Sequence, residues 1–249
     1  MRVILPVLML SLAAPAAAQE LRPFCAERPG KATPPCILDA GHAQLEVGLA
    51  DAVVQRGPDA YTVGATELRL GVSRRAEVEL GWTPLVVSHG SGTGDGSLGL
   101  RWALSDPDRQ AGLAASAQLF ATAPLATHGM GAGGWTGAVR LPLAVSLNDD
   151  VSLDATAEAD LLRDMDGRGT HGGASLTLGV SRAFGPTSLG AELWGFVDDA
   201  PAGRTHQYSV DFTAARGIGK NAQVDVGANL GLNHATPDVE VYAGVARRF

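Results

Sequence analysis

Residues 139–161 read VRLPLAVSLNDDVSLDATAEADL and form two alternating segments around a turn. In the first segment, valines and leucines occupy every odd position, while Arg140 and mostly small residues occupy the even ones. After the turn at 148–150, leucine and alanine share one face, and the other face carries the carboxylates Asp154, Glu158 and Asp160. A period of two predicts β-strands with one apolar and one polar face, here paired as a hairpin.

The same alternation recurs along most of the chain. Ten further segments show it, at 43–50, 67–72, 76–82, 98–104, 113–122, 174–181, 189–197, 208–214, 224–232 and 239–249. Short turns are expected at 74–75, 106–110, 148–150, 185–186 and 217–221, and longer loops at 88–96, 125–134, 164–172 and 198–204. This predicts an all-β fold, a transmembrane antiparallel up-and-down β-barrel of about 12 strands with short periplasmic turns and longer extracellular loops.

The N-terminal residues indicate the compartment. Residues 1–18 combine one basic residue, a short apolar stretch and a run of three alanines at 16–18, which is typical of a secretory signal peptide. Residues 19–41 are rich in proline and contain the only two cysteines, Cys25 and Cys36, so we expect an N-terminal periplasmic arm closed by a disulfide. The barrel would occupy 42–249, in the outer membrane of a bacterial cell.

A secreted β-sandwich also has alternating strands and is the main alternative fold. Against it, the polar faces carry charges at mid-strand, which suit a polar barrel lumen better than a packed core. The residues expected to line the lumen are Glu46, Glu67, Arg69, Glu77, Glu79, Arg101, Arg140, Asp154, Glu158, Asp160, Glu192, Asp211, Asp225, Glu240 and Arg248. Four aromatic residues on the same faces are expected to constrict the bore: Phe120, Trp194, Phe196 and Tyr242.

The C-terminal strand, VYAGVARRF at 241–249, ends on an aromatic residue. We expect Phe249 to lie at the membrane interface and to serve as the signal that the barrel-assembly machinery reads. Outer-membrane lipid is the other expected partner.

Three stretches resemble a known family: 225–249 (DVGANLGLNHATPDVEVYAGVARRF), 27–51 (ERPGKATPPCILDAGHAQLEVGLAD) and 94–104 (GDGSLGLRWAL). They are similar to the outer-membrane transporter family labelled "Putative MetA-pathway of phenol degradation". The resemblance implies a porin-like β-barrel that transports a small-molecule solute, and it does not identify the solute.

No enzyme activity, metal or cofactor is expected. The histidines fall mostly in predicted loops or at strand ends, where a solvated histidine is the usual case. The run Asp164-Met165-Asp166-Gly167 lacks the remaining ligands of a calcium loop. The net charge of −7 argues against a nucleic-acid partner.

Two functions remain open at this point. The first is a porin-like transporter that passes small solutes passively through a narrow lumen, whose acidic residues would disfavour anions. The second is a closed structural or surface-interaction barrel without a conducting pore, in which ion pairs or the arm fill the lumen. Barrel lumens are polar in both cases, so the charges do not separate the two.

Overall fold

The computed structural model describes residues 21–108 and 112–249, so the predicted signal peptide at 1–18 lies outside the described residues. Strands dominate this part of the chain, and no helix in it is long and apolar enough to cross a membrane. The strands are β1 (Ala43–Val54), β2 (Ala60–Val63), β3 (Ala65–Ser73), β4 (Ala76–Trp82), β5 (Leu85–Val87), β6 (Ser91–Gly92), β7 (Gly96–Ala103), β8 (Leu113–Ala123), β9 (Thr136–Ser146), β10 (Val151–Arg163), β11 (Thr170–Phe184), β12 (Thr187–Ala200), β13 (Gly203–Ile218), β14 (Ala222–Gly231) and β15 (Val239–Arg248).

The strands close into a twelve-stranded antiparallel barrel. Its wall is β1, β3, β4 and β7 to β15 in order, and β15 pairs with β1. The closing pair is held at its end by the Phe249 amide, which donates to the Ala43 carbonyl over 2.8 Å. The short strands β2, β5 and β6 pair with one another and with the end of β1, so they extend the wall at the extracellular end. The prediction of an outer-membrane barrel of about 12 strands is confirmed.

The two faces of each strand differ sharply in exposure. On β7, Leu98, Leu100 and Trp102 are each about half exposed, whereas Arg101 between them is 1% exposed. A soluble protein would bury the leucines, but in a membrane barrel the outward apolar face contacts acyl chains and the inward face is polar. Closure also gives each wall strand two partners, so no backbone edge is left in the lipid.

One expected loop is mostly strand. The region 198–204 was predicted as a longer loop, but β12 runs to Ala200 and β13 begins at Gly203, with a two-residue turn between them. Apolar alternation stops there because both faces of the hairpin tip are outside the membrane. An exposed ion pair between Arg204 and Asp199, at 3.0 Å, joins the two strands at this tip.

The N-terminal arm lies inside the barrel, which differs from the expected periplasmic position. Gly30 and Lys31 approach β12, and Thr33 contacts β10, which lies two strands away in the wall. Ala26, Ala32, Ile37 and Leu38 of the arm are among the few buried apolar residues of the described chain. The arm therefore takes the place of a core.

Candidate functional site

The arm enters the lumen at the periplasmic mouth, where Arg22 fastens it. Its Nε lies 2.7 Å from a carboxylate oxygen of Asp108, and its Nη2 donates to the Arg74 carbonyl over 3.0 Å. In return, Arg248 donates to the Arg22 carbonyl over 2.7 Å. Because Asp108 accepts hydrogen bonds from Arg22 and Arg74, its pKa is held below the ordinary value. Asp108, Arg74 and Arg248 therefore hold the arm at the periplasmic mouth.

Inside the mouth, a disulfide between Cys25 and Cys36 closes a loop of the arm. Arg69 donates to the carbonyl oxygens of both cysteines, at 3.0 and 3.3 Å. Arg101 donates to the carbonyls of Pro34 and Cys36, both at 3.0 Å. Two buried guanidinium groups thus hold the backbone of the disulfide loop, and they use fork-shaped donor sets that lysine lacks.

These arginines belong to a buried charge network on β1, β3, β4 and β7. Arg69 contacts Glu77 at 2.8 Å and Glu46 at 3.3 Å, and Arg101 contacts Glu79 at 3.0 Å. All five side chains are at most 2% exposed. Charges so far from water are tolerated only when they are paired and hydrogen-bonded.

The arm completes this network with its own groups. Glu46 accepts from the amides of Glu27 and Arg28, at 3.0 and 3.2 Å, and Glu77 accepts from the Leu38 amide at 2.7 Å. The Glu27 carboxylate also pairs with Arg101. These four wall strands therefore bind the arm through buried, paired charges.

On the opposite side, Glu192 on β12 binds the arm backbone. It accepts from the amides of Lys31 and Ala32, at 2.7 and 3.3 Å. A Cβ on Gly30 would overlap the Glu192 carboxylate, so the arm can approach this closely only because residue 30 has no side chain. The next residue of the arm, Thr33, donates its amide to Thr156 Oγ1 on β10 over 2.9 Å.

Two cations of the arm reach acidic residues on β13 and β14. Arg28 lies 3.1 Å from the Asp225 carboxylate and 5.8 Å from the centre of the Tyr242 ring. Lys31 makes a similar pair of contacts farther from the periplasm, with Asp211 and Trp194.

Several cavities lie beside the arm in the lumen, and two of them differ in depth along the bore. The one at the periplasmic side, of about 630 Å³, is lined by Cys25, Pro34 and Cys36 and by small wall residues that include Ser152 and Ser181. The one at the extracellular side, of about 500 Å³, is lined by arm residues 27–31 and 33 and by wall residues of β9 to β13. Most of the wall residues that line these two cavities belong to β8–β13.

The structure places the predicted lumen residues on the inner face. Nine of them are buried: Glu46, Arg69, Glu77, Glu79, Arg101, Glu192, Asp211, Asp225 and Arg248. The other six are half-buried: Glu67, Arg140, Asp154, Glu158, Asp160 and Glu240. Among these, Arg140 pairs with Glu158.

The four aromatic residues share the inner face with them. Trp194 and Phe196 are stacked with ring centres 5.9 Å apart, and Phe120 lies under the Arg140 guanidinium at 4.8 Å. Their role as a constriction stays a prediction, and so does the role of Phe249 as an assembly signal.

Sequence reasoning missed the arm residues of this site, Glu27, Arg28, Lys31 and Thr33. One signal could have found them: the eleven inward acidic residues expected from the sequence outnumber the four inward arginines. An enclosed excess of carboxylates requires cations from elsewhere in the chain. The basic residues of the arm supply them.

Comparison with known proteins agrees with this architecture. The model of the family described as "Putative MetA-pathway of phenol degradation" matches residues 26–249. The chain belongs to this family. No curated protein matches the sequence.

Two solved structures share the fold. An outer-membrane channel from Pseudomonas putida F1 is 17% identical, with a TM-score of 0.68 over 89% of this chain and 99% of that one. The β domain of the Bordetella autotransporter Brka is 14% identical, with a TM-score of 0.50 over 84% of this chain and 98% of that one. At these identities the likeness concerns the fold alone.

Proposed function

We propose that this protein is an outer-membrane channel for small solutes, and that the solutes pass through the space that the arm leaves beside β9–β12. The observation that carries the proposal is the pair of cavities on the two sides of the arm. One row of wall residues separates them. The relative from Pseudomonas putida is itself an outer-membrane channel, which supports the same interpretation.

The separating row consists of Asp154, Gly179 and Glu192, which are register partners on β10, β11 and β12. On its periplasmic side, Ser152 and Ser181 line the first cavity, and on its extracellular side Thr156 and Thr177 line the second. A solute would therefore cross one narrow layer that carries two carboxylates, a glycine and the arm backbone bonded to Glu192.

Size and charge restrict what could cross. A twelve-stranded barrel is wider than the eight-stranded ones that side chains fill and narrower than the sixteen-stranded porins, and here the arm takes part of its lumen. Only small molecules would fit. The two carboxylates of the row would disfavour anions, so we expect passive passage with a preference for cations or neutral solutes.

Adding a larger side chain to the row between the two cavities tests whether solutes pass through it. A Cβ at Gly179 would lie 3.2 Å from Glu192 Cγ, so Gly179→Val adds bulk at the layer between the cavities. In planar bilayers we expect clear single-channel conductance from the wild type and loss of most of it in Gly179→Val. The matched control is Gly172→Val on the same strand, whose side chain would point outward and which should conduct like the wild type.

Neutralising the row tests the selectivity. Asp154 makes one side-chain hydrogen bond, with Ser152 at 3.2 Å, so Asp154→Asn removes charge with little loss of structure. We expect the reversal potential in a salt gradient to move toward zero. An unchanged reversal potential in a conducting channel would show that ions take another route.

The second candidate is a closed structural barrel. The observation in its favour is that the arm is bonded to both sides of the wall, through Arg69 and through Glu192. This candidate would be favoured if the wild type shows no conductance in planar bilayers and the Gly179→Val variant shows none either. No catalytic role is proposed for any residue.

A further inference from the structure

A cation site lies in the lumen wall, and the ammonium group of Lys31 occupies it. Lys31 Nζ lies 4.5 Å from the centre of the Trp194 ring, 3.1 Å from Ser209 Oγ and 3.5 Å from an oxygen of Asp211. An aromatic face, a hydroxyl and a carboxylate around one nitrogen are the contacts that an ammonium group prefers.

The Asp211 carboxylate is poorly satisfied by this arrangement. It is fully buried, yet neither of its oxygens accepts a hydrogen bond within the described chain. Lys31 is its nearest cation and stays beyond ordinary hydrogen-bond distance. Buried carboxylates normally have donors, so Asp211 has unused capacity to accept hydrogen bonds from an ammonium group.

The surrounding wall repeats the negative charge. Asp211 is the register partner of Glu192 on one side and of Asn229 on the other, and Asn229 pairs with Glu240. Three carboxylates thus lie in one row across β12 to β15. Such a row repels anions and attracts cations.

Two cavities border the site. Lys31 and Trp194 line both the 500 Å³ cavity on the extracellular side and a smaller one of about 200 Å³ beside Asn229 and Glu240. A small molecule in either cavity would lie next to the ammonium group of Lys31. Displacing the Lys31 side chain would leave the Asp211 carboxylate without its cation.

A related pair lies nearer the periplasm. Arg28 is placed between the Asp225 carboxylate and the Tyr242 ring. Asp225 pairs with Ala215, four residues along β13 from Asp211. The arm therefore places Arg28 and Lys31 at two levels along the bore, each beside one acidic and one aromatic side chain.

We propose that these positions recognise small organic cations with a primary ammonium group, and that Lys31 is a tethered occupant which the solute displaces at Asp211. This proposal rests on the channel function above and names its solute class. The acceptors at Asp211 and Ser209 favour N–H donors, so a primary ammonium should bind better than a quaternary one.

Binding to the full-length mature protein in detergent, measured by calorimetry, tests the site without relying on conductance. Removing the tethered cation in Lys31→Ala should strengthen binding of n-butylammonium at least about tenfold, because the probe then meets a vacant carboxylate and aromatic ring. Tetramethylammonium should bind more weakly, and butyrate and 1-butanol should not bind. Lys220→Ala, which removes a lysine of a periplasmic turn, is the matched control and should bind like the wild type.

The double variant Lys31→Ala, Asp211→Asn should lose the gained binding. Lys31→Gln keeps most of the side chain and serves if the alanine variant does not fold, as judged by heat-modifiable migration in gels. Equal binding by the wild type and both Lys31 variants, or binding that survives Asp211→Asn, would overturn the proposal.

Conductance separates this proposal from the channel function. Butylammonium binding without any conductance would support the site and contradict the channel. Potassium conductance without ammonium binding would support the channel and contradict the site.

Discussion

Replacing Arg69 by methionine should release the arm from the lumen. The Arg69 guanidinium is fully buried and donates to the carbonyls of Cys25 and Cys36 at the two ends of the disulfide loop. It also pairs with Glu77 and Glu46. Methionine fills a similar volume but donates nothing, so the change removes contacts with the arm and leaves the strand intact.

The size of the effect follows from the two carbonyl contacts. A hydrogen bond from a charged donor contributes about 1.5–3 kcal/mol, so the loss of two weakens docking by at least about 3 kcal/mol. That corresponds to about a 100-fold larger undocked fraction. Breaking the buried pair with Glu77 costs about 3–5 kcal/mol more, and this part lowers the stability of both the docked and the undocked barrel.

Tryptic cleavage reports the undocked fraction. Arg22 and Arg28 are each followed by proline, which blocks trypsin, so the bond from Lys31 to Ala32 is the cleavable site of residues 21–41. In the docked arm this bond is inside the barrel and both flanking amides donate to Glu192. When opening is fast, the cleavage rate is proportional to the population of the open form. We expect cleavage about 100-fold faster in Arg69→Met, detected by mass spectrometry after reduction.

Arg140→Met is the matched control, because Arg140 is also a lumen arginine but its hydrogen bonds go to Glu158 on the wall. It should be cleaved at the wild-type rate. Heat-modifiable migration in gels verifies that each barrel is folded. Wild-type cleavage of a folded Arg69→Met variant would refute the claim that this guanidinium holds the arm.

Three further changes test other parts of the structure. Replacing Cys25 and Cys36 by serine removes a cross-link worth about 3 kcal/mol in loop entropy, so Lys31 cleavage should accelerate in a folded barrel. Arg22 lowers the pKa of Asp108, so the ion pair anchors the arm above the ordinary carboxyl pKa of about 4. This anchoring is lost as the pH falls through the pKa of Asp108 in the folded protein. Cleavage by an acid-tolerant protease should therefore rise below about pH 4 in the wild type, and less so in Asp108→Asn. Deleting Phe249 should lower the yield of folded protein in isolated outer membranes, and an unchanged yield would contradict its role in assembly.

Much of the barrel could be predicted from the sequence because strand faces are encoded locally. Each wall residue meets either lipid or lumen, and neighbours along a strand alternate between the two. This is why all twelve wall strands and the inward placement of Glu79 and Arg101 followed from period two. At the hairpin tip around 198–204 the rule fails, since water lies on both sides and selects no alternation.

The candidate site was only half predictable. The inward charges could be read from the sequence, but their partners could not. Contacts such as Thr33 with Thr156 and Lys31 with Glu192 join residues more than a hundred positions apart, and nothing in the local pattern of 19–41 indicates which compartment the segment enters.

The sequence by itself determined a closed membrane barrel with a charged interior, because hydrophobic burial against lipid acts on each side chain separately. Only the tertiary structure decided that the arm occupies this interior. Pairing enclosed charges depends on which groups meet in space, and that is settled only when the wall has closed around them.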